Sequence, residues 1–262
     1  MSVSIPPLDE LVSHQLLEQS ALVEEELMAA RAAQRFYLPP EVVQTPSCTF
    51  SYIYQPLHHI GGDFVDFLPR SDGSVVWIIA DVAGHGIAAA LATAMVKTTF
   101  VRHAPLVTSP AQLLTAMNRE LEGIVRGGRF ITALVGLFQP GGRRLTLASA
   151  GHPGPVLLHE GHATKVPIEA DHPLFVSATH IYTRTTEITA AAGDRLVAYT
   201  DGLVDGERKD ETRLGVPALC ELLQGLRVGG DPDYCVQALY EALFLGEFLF
   251  SDDVAIISLH CH

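Results

Sequence analysis

VVWIIADVAGHG, residues 75–86, joins an uninterrupted apolar run to an aspartate and a glycine-rich turn. Val75 to Ala80 carries no polar side chain and reads as a strand buried on both faces. A turn at Ser71-Asp72-Gly73 precedes it. Asp81 stands where the run ends, and Gly84 and Gly86 permit a tight strand-to-helix turn. The segment that follows, residues 87–102, is rich in Ala, Leu, Met and Val. It is apolar almost all round, which predicts a buried helix. Its N-terminus points near Asp81, where free backbone N–H groups would be able to hold a phosphate.

Outward from this unit, strand and helix signals alternate. Upstream, Thr49–Tyr54 and Phe64–Leu68 read as strands. Downstream, a helix is predicted from about Pro110 to Ile124, with Ser109 as its cap. Strands follow at Ile131–Phe138, Arg144–Ser149, Pro155–His159, Thr183–Ile188 and Arg195–Tyr199, separated by Gly/Pro turns. Helices are expected at about 216–227 and 232–245, and Val254–Leu259 is a last strand. Hairpin-like spacing with interspersed helices predicts an α+β fold of largely antiparallel sheets packed with helices in layers.

Residues 8–36 differ in character. Leu8, Val12, Leu16, Val23, Leu27 and Ala30 recur at helical spacing, with Glu18, Glu24, Glu25 and Glu26 between them. Tyr37-Leu38-Pro39-Pro40 stops the helix. A helix with one apolar stripe needs a partner surface. Two readings stay open: the helix folds back on its own domain, or it pairs with a second copy in a homodimer. Gln19 would interrupt a heptad seam in the second. The chain therefore divides into a regulatory or dimerisation helix, 1–36, and a domain, 37–262.

Composition narrows the function. Of 262 residues, 48% are hydrophobic and 18% charged, so a sizeable core is available. The net charge of −13 comes without a long basic run. That disfavours nucleic acid and anionic membrane surfaces as partners, because both demand Lys/Arg patches. Cys48, Cys220, Cys235 and Cys261 lie far apart, with no CxxC pair, so neither a zinc knuckle nor a disulfide framework is indicated. The first residues lack the pattern of a signal peptide, and no apolar run is long enough to span a bilayer. The expectation is a cytoplasmic protein.

Asp81 is one of four aspartates placed alike. Asp63 follows Gly61-Gly62 and precedes a strand, Asp201 in Thr200-Asp201-Gly202 follows one, and Asp252 in Ser251-Asp252-Asp253 precedes the last. A carboxylate at the edge of an apolar strand is costly unless paired or metal-bound. Several of them at strand ends would converge on one spot. Oxygen ligands of this kind suit Mg²⁺ or Mn²⁺ rather than zinc or copper. Two such ions about 3.5–4 Å apart can activate water and clamp a phosphoryl group. Taken singly each signal is weak, since Asp-Gly is more often a turn than a ligand. Order and context together carry the case.

GGDFVDF (61–67), DVAGHG (81–86), SAGHP (149–153), YTDGL (199–203) and SDDV (251–254) closely resemble, in the same order, motifs of the SpoIIE/RsbU-type branch of the PPM (PP2C-like) metal-dependent serine phosphatases. The resemblance covers roughly residues 30–260, and Ala32–Pro40 resembles that family's entry into the domain. It implies an αββα sandwich with two Mn²⁺ or Mg²⁺ ions between the sheets. Asp81 would bridge both ions and the backbone carbonyl of Val82 would bind one. Asp201 and Asp252 would hold the other, Asp63 would ligate directly or through water, and Asp253 would support the ligands. A metal-bound water would then attack phosphoserine or phosphothreonine without a covalent enzyme intermediate. The implied substrate is a phosphorylated anti-anti-sigma (STAS) regulator. Such domains usually follow a sensor, and here only about 30 residues precede the domain, so the sensor is absent or the chain is a fragment.

Two features depart from the wider family. The position two residues after Asp81, where a histidine serves as a proposed general acid, is Ala83, and His85 comes two residues later. No motif matches the phosphate-binding arginine of eukaryotic members. His85, His152, His58 and His59 are each explained at least as well by turns as by the site. A diguanylate cyclase signature would need an acidic residue where Phe64 stands, and a haloacid-dehalogenase pair would need DxD where Asp63 and Asp66 are DxxD. The alternative from another class is a catalytically silent scaffold of the same fold, which loss of a metal aspartate would have signalled.

Overall fold

The computed structural model describes residues 8–122, 130–177, 179–226, 232–246 and 248–262. In chain order these form α1 (Leu8–Phe36), β1 (Val42–Gln44), β2 (Cys48–Gln55), β3 (Asp63–Pro69), β4 (Val75–Val82), α2 (Ile87–His103) and α3 (Pro110–Glu120). Then come β5 (Ile131–Gln139), β6 (Arg144–Ala150), β7 (Val156–His159), β8 (His162–Lys165), β9 (Thr186–Thr189), β10 (Arg195–Tyr199) and α4 (Asp201–Asp205). The remainder is β11 (Glu207–Arg208), α5 (Gly215–Gly225), α6 (Pro232–Phe244), β12 (Phe248–Leu249) and β13 (Val254–Cys261).

Two large sheets result, each antiparallel throughout. One runs β1-β2-β13-β10-β7-β8 and the other β3-β4-β5-β6-β9. Side-chain alternation along β4 explains the layering. Val75, Trp77 and Ile79 point between the sheets, where they meet Phe50, Phe67, Leu196 and Ile257. Val76, Ile78, Ala80 and Val82 point outward against Ala89, Val96 and Phe100 of α2 and Leu113, Leu114 and Met117 of α3. Both faces of β4 are thus covered, which is why its sequence is apolar without alternation. On the other flank, Val197, Tyr199 and Ile256 pack against Leu219 and Leu223 of α5 and Leu239 and Leu243 of α6. The architecture is the expected α+β, helix–sheet–sheet–helix sandwich with an N-terminal helix. Trp77 fits the inner layer because its cross-strand neighbour is Gly136, where a Cβ would lie 2.1 Å from the indole.

Several sequence expectations shift. α2 is not buried all round. Ala89, Ala92, Val96 and Phe100 are buried, but Ile87 is 59% exposed and Leu91 62%. Alanines let one side of the helix approach the sheet closely, and among the described residues no second layer covers the other side. Ser109 does cap α3, accepting from the Gln112 amide at 3.4 Å, yet α3 ends at Glu120. Its expected end at Ile124 lies outside the described residues, as does residue 227 of the helix expected at 216–227. The strand expected at Thr183–Ile188 forms only over Thr186–Thr189. Short strands β1, β8, β11 and β12 escaped notice. Among the described residues, α1 meets the domain through its second half: Gln34 is buried and Glu24 lies 3.3 Å from His59, whereas Leu16 is 61% exposed. The stripe positions Leu8 and Val12 lie outside the residues whose side chains are described.

Candidate metal centre

Asp63 opens β3 and Asp81 is the penultimate residue of β4, and the register sets them directly opposite each other. Like charges facing across a strand pair repel. Asp63 is also buried. Burial first, then the Asp81 charge, drives the Asp63 carboxyl well above the usual range, while a hydrogen bond from Thr200 opposes the shift. Asp81 is pushed up to about 7, by burial first and then by the charges of Asp201, Asp252 and Asp253. Gly62 lets the chain before Asp63 lie against the start of α2. A Cβ there would fall 3.0 Å from the Val82 carbonyl and 3.2 Å from Ala89 Cβ. Below it, the Val82 amide donates to Gly62 O at 3.1 Å.

The second pair comes from the other sheet. β10 and β13 are antiparallel neighbours with Tyr199 opposite Ile256, so the residues after β10 and before β13 share one edge. Asp201 there is the first residue of the short helix α4, not part of a plain turn. Gly202 presses on the 252–253 segment, where a Cβ would meet Asp253 O at 2.1 Å and Asp252 Cβ at 3.2 Å. Burial first, then Asp252 and Asp205, raise the Asp201 carboxyl. Asp252 is exposed, and its Oδ1 accepts from the Asp253 amide at 2.8 Å. Asp253 is buried and turned the other way. Its two oxygens accept the Leu57 and Gly62 amides, each at 2.7 Å, so it carries the loop that leads into Asp63.

Thr200 joins the two halves. Its backbone amide donates to Ala255 O at 3.0 Å and its Oγ1 accepts the Ala255 amide at 2.9 Å. The hydroxyl proton goes to Asp63 Oδ2 at 2.8 Å. A residue at the end of one sheet thereby orients a carboxylate at the edge of the other. Gln34 of α1 holds the same loop from outside, donating to Gly61 O at 2.8 Å and accepting the Gly61 amide at 3.2 Å. Neither residue was singled out from sequence. Gln34 had a signal, since a buried amide at position i+4 from Ala30 breaks the apolar stripe of α1.

The arrangement therefore brings Asp63, Asp81, Asp201, Asp252 and Asp253 to one edge of the sandwich, with the Val82 carbonyl beside Gly62. The histidines are exposed or engaged with other partners. His85 is exposed, and His59 lies 3.3 Å from Glu24 of α1. His58 is exposed, with its charge felt at Asp253. His152 is buried between Thr132 and Tyr199. Among the described residues no three His, Cys, Asp or Glu side chains are closed to liganding distance around one point. The carboxylates raise one another's proton affinity, as clustered like charges do. An all-oxygen, multiply anionic donor set suits Mn²⁺ or Mg²⁺, and these residues fit such ions.

Comparison with known proteins bears on the family and the fold. The family described as Stage II sporulation protein E (SpoIIE) matches residues 71–262. Phosphoserine phosphatase RsbU of Bacillus subtilis (strain 168) is 27% identical over 246 residues, covering 90% of this chain and 70% of RsbU. In fold, the chain is similar to the SiaA-PP2C domain of Pseudomonas aeruginosa, with a TM-score of 0.77 at 19% identity, over 92% of this chain and 98% of that one. It is also similar to the catalytic domain of the serine/threonine protein phosphatase PstP in complex with two manganese ions, with a TM-score of 0.57 at 17% identity, over 82% and 98% of the two chains.

Proposed function

Since the chain belongs to the SpoIIE family of PPM-type, metal-dependent protein-serine/threonine phosphatases, we propose that it hydrolyses phosphoserine or phosphothreonine on a regulatory protein, using the aspartates at the sandwich edge. The observation that carries this reading is the gathering at one edge of Asp63 and Asp81 from one sheet with Asp201 and Asp252 from the end of the other. A structural strand end has no need of so much unrelieved negative charge.

In this reading Asp81, shared between two sites, and the Val82 carbonyl would help to hold two Mn²⁺ or Mg²⁺ ions. Asp201 and Asp252 would hold the second, and Asp63 would contribute directly or through water. When bound, the ions would supply charge neutralisation, an activated water and a clamp on the phosphoryl oxygens. The chain's own residues set the stage. Thr200 fixes the orientation of Asp63 by donating to Oδ2. Both oxygens of Asp253 are engaged by backbone amides, which supports a role in holding the Gly61–Asp63 loop rather than in direct ligation. Exposure of His85 and the presence of Ala83 leave the leaving-group proton without a fixed side-chain donor at either position.

The substrate is proposed to be a STAS-type anti-anti-sigma factor, by analogy with RsbU-type relatives. Residues 1–36 are read as a regulatory helix, pairing two chains, and 37–262 as the phosphatase domain. The exposed apolar side chains along the first half of α1, such as Leu16, Leu17 and Val23, support a dimer. No helix among the described residues is long and apolar enough to cross a membrane, which is in keeping with a cytoplasmic enzyme. The test is hydrolysis of p-nitrophenyl phosphate and a phosphoserine peptide with EDTA, Mg²⁺ or Mn²⁺. Activity is expected only with a divalent ion and is lost in Asp81→Ala. A wild-type protein inert with every metal would overturn the reading in favour of a silent scaffold.

A further inference from the structure

We propose that His152 is a positioning residue for the aspartate centre: a neutral imidazole protonated on Nε2 that ties Thr132 to Tyr199 and so fixes the separation of the two sheets beneath Asp81 and Asp201. The proposal rests on the reading of those aspartates as a metal site.

The tautomer follows from the partners. Nε2 lies 3.1 Å from the Tyr199 carbonyl oxygen, which only accepts, so Nε2 carries the proton. A neutral ring has one N–H, so Nδ1 accepts, and the Thr132 hydroxyl at 3.0 Å donates to it. An imidazolium would place two donors here and leave Thr132 to accept. The ring is buried, 3% exposed, and burial lowers its pKa to about 4, in keeping with the neutral form.

Its two partners sit one step from the carboxylates. Thr132 on β5 is the cross-strand partner of Asp81. Tyr199 ends β10, and the next two residues are Thr200, which donates to Asp63, and Asp201. Tyr199 belongs to the six-stranded sheet and Thr132 to the five-stranded one. The imidazole is thus a polar strut across the sandwich, on the level where the four carboxylates gather. Its own backbone is fixed as well. The His152 amide donates to Ser149 Oγ at 3.0 Å, and the Ser149 hydroxyl donates to His152 O at 2.8 Å. Gly151, at φ +72° with a would-be Cβ 2.7 Å from Pro173, makes the turn that aims the ring inward. A turn alone would not require a buried imidazole with both nitrogens engaged.

The full-length chain and its His152→Ala, His152→Gln and Thr132→Val variants test this, with thermal denaturation to monitor folding. Mn²⁺ affinity by calorimetry, and kcat and KM on a phosphoserine peptide, are the functional readouts. We expect His152→Ala to weaken Mn²⁺ binding and kcat by about 10–100-fold, the usual effect of losing a group that orients metal ligands. KM for the peptide should stay near wild type. His152→Gln keeps an amide donor for Tyr199 O and should recover part of both losses, and Thr132→Val should show a smaller loss. Folded variants with wild-type Mn²⁺ affinity and kcat would overturn the proposal, as would a Gln variant no better than Ala. Should His152→Ala fail to fold, the Gln variant and ¹⁵N NMR of the wild-type ring still decide: an Nε2–H tautomer is expected, and Nδ1–H would contradict it. A wild-type protein that binds no Mn²⁺ sinks the metal-site reading and this proposal together. Wild-type binding with unaffected variants sinks this one alone.

Discussion

Gly202 shows how tightly single residues define the centre. With Asp253 O 2.1 Å from its would-be Cβ, any side chain there must push the Asp201 helix away from the 252–253 segment. Gly202→Ala is predicted to lower both thermal stability and Mn²⁺ affinity, and wild-type values for both would show that the two segments move apart freely. His152 makes a prediction about pH. Its folded pKa, about 4, lies below its ordinary value of 6.5. The unfolded chain therefore takes up a proton first, and this contribution to stability is complete above about pH 6.5. It falls away as pH drops toward 4, by on the order of 3 kcal/mol. Urea denaturation at pH 7 and pH 4.5 should show a shallower loss for His152→Gln than for wild type, and parallel losses would contradict the assignment. At this scale the sequence was informative about acids and silent about their supports. Asp63, Asp81, Asp201 and Asp252 announce themselves because a charge beside an apolar run is unusual. Thr200 does not, and His152, although part of the SAGHP stretch, reads as well as a turn residue, since a hydroxyl or imidazole in a strand or turn is ordinary until a partner 137 or 47 residues away is known.

Among the elements, β4 was readable because burial on both faces leaves six consecutive apolar residues and no alternation to interpret. α2 was read correctly as a helix over nearly its whole length, but its surroundings were not. Composition records how apolar a helix is, not how many faces find a neighbour. Strands such as β11 and β12, two residues each, are made by pairing alone and carry no periodicity. α2 is joined to the sheet by an ion pair as well as by packing. Lys97 Nζ lies 2.8 Å from Asp66 Oδ2, and Asp66 is buried on β3. Burial raises the Asp66 carboxyl while Lys97 draws it back. Lys97→Ala strands a buried carboxylate and is predicted to cost about 3 kcal/mol. Adding Asp66→Leu should recover most of that loss, because removal of both leaves no buried charge unpaired. Additive losses in chemical denaturation would argue that the pair is incidental.

For the molecule as a whole, the antiparallel α+β layering was foreseeable from the order of elements, and the four-layer sandwich from the motif resemblance. How α1 sits was not foreseeable, because the helix combines two surfaces. Its end docks on the domain through Gln34 and through Tyr37, whose hydroxyl lies 2.9 Å from Thr93 Oγ1. Its first half leaves Leu16, Leu17, Leu22 and Val23 exposed. A free apolar helix face on an otherwise acidic chain is predicted to pair two copies. Size-exclusion chromatography with light scattering should give a dimer for the full chain and a monomer without residues 1–35, and a monomer in both would reject the pairing. Docking of the same helix on the Gly61 loop connects any rearrangement at α1 to the approach of Asp63.

The most direct test of the central claim is anomalous diffraction from crystals grown with Mn²⁺. The account predicts two peaks about 3.5–4 Å apart, with Asp81 between them, Asp201 and Asp252 on one ion and the Val82 carbonyl on the other. Peaks remote from these residues, or none at saturating Mn²⁺, would contradict it.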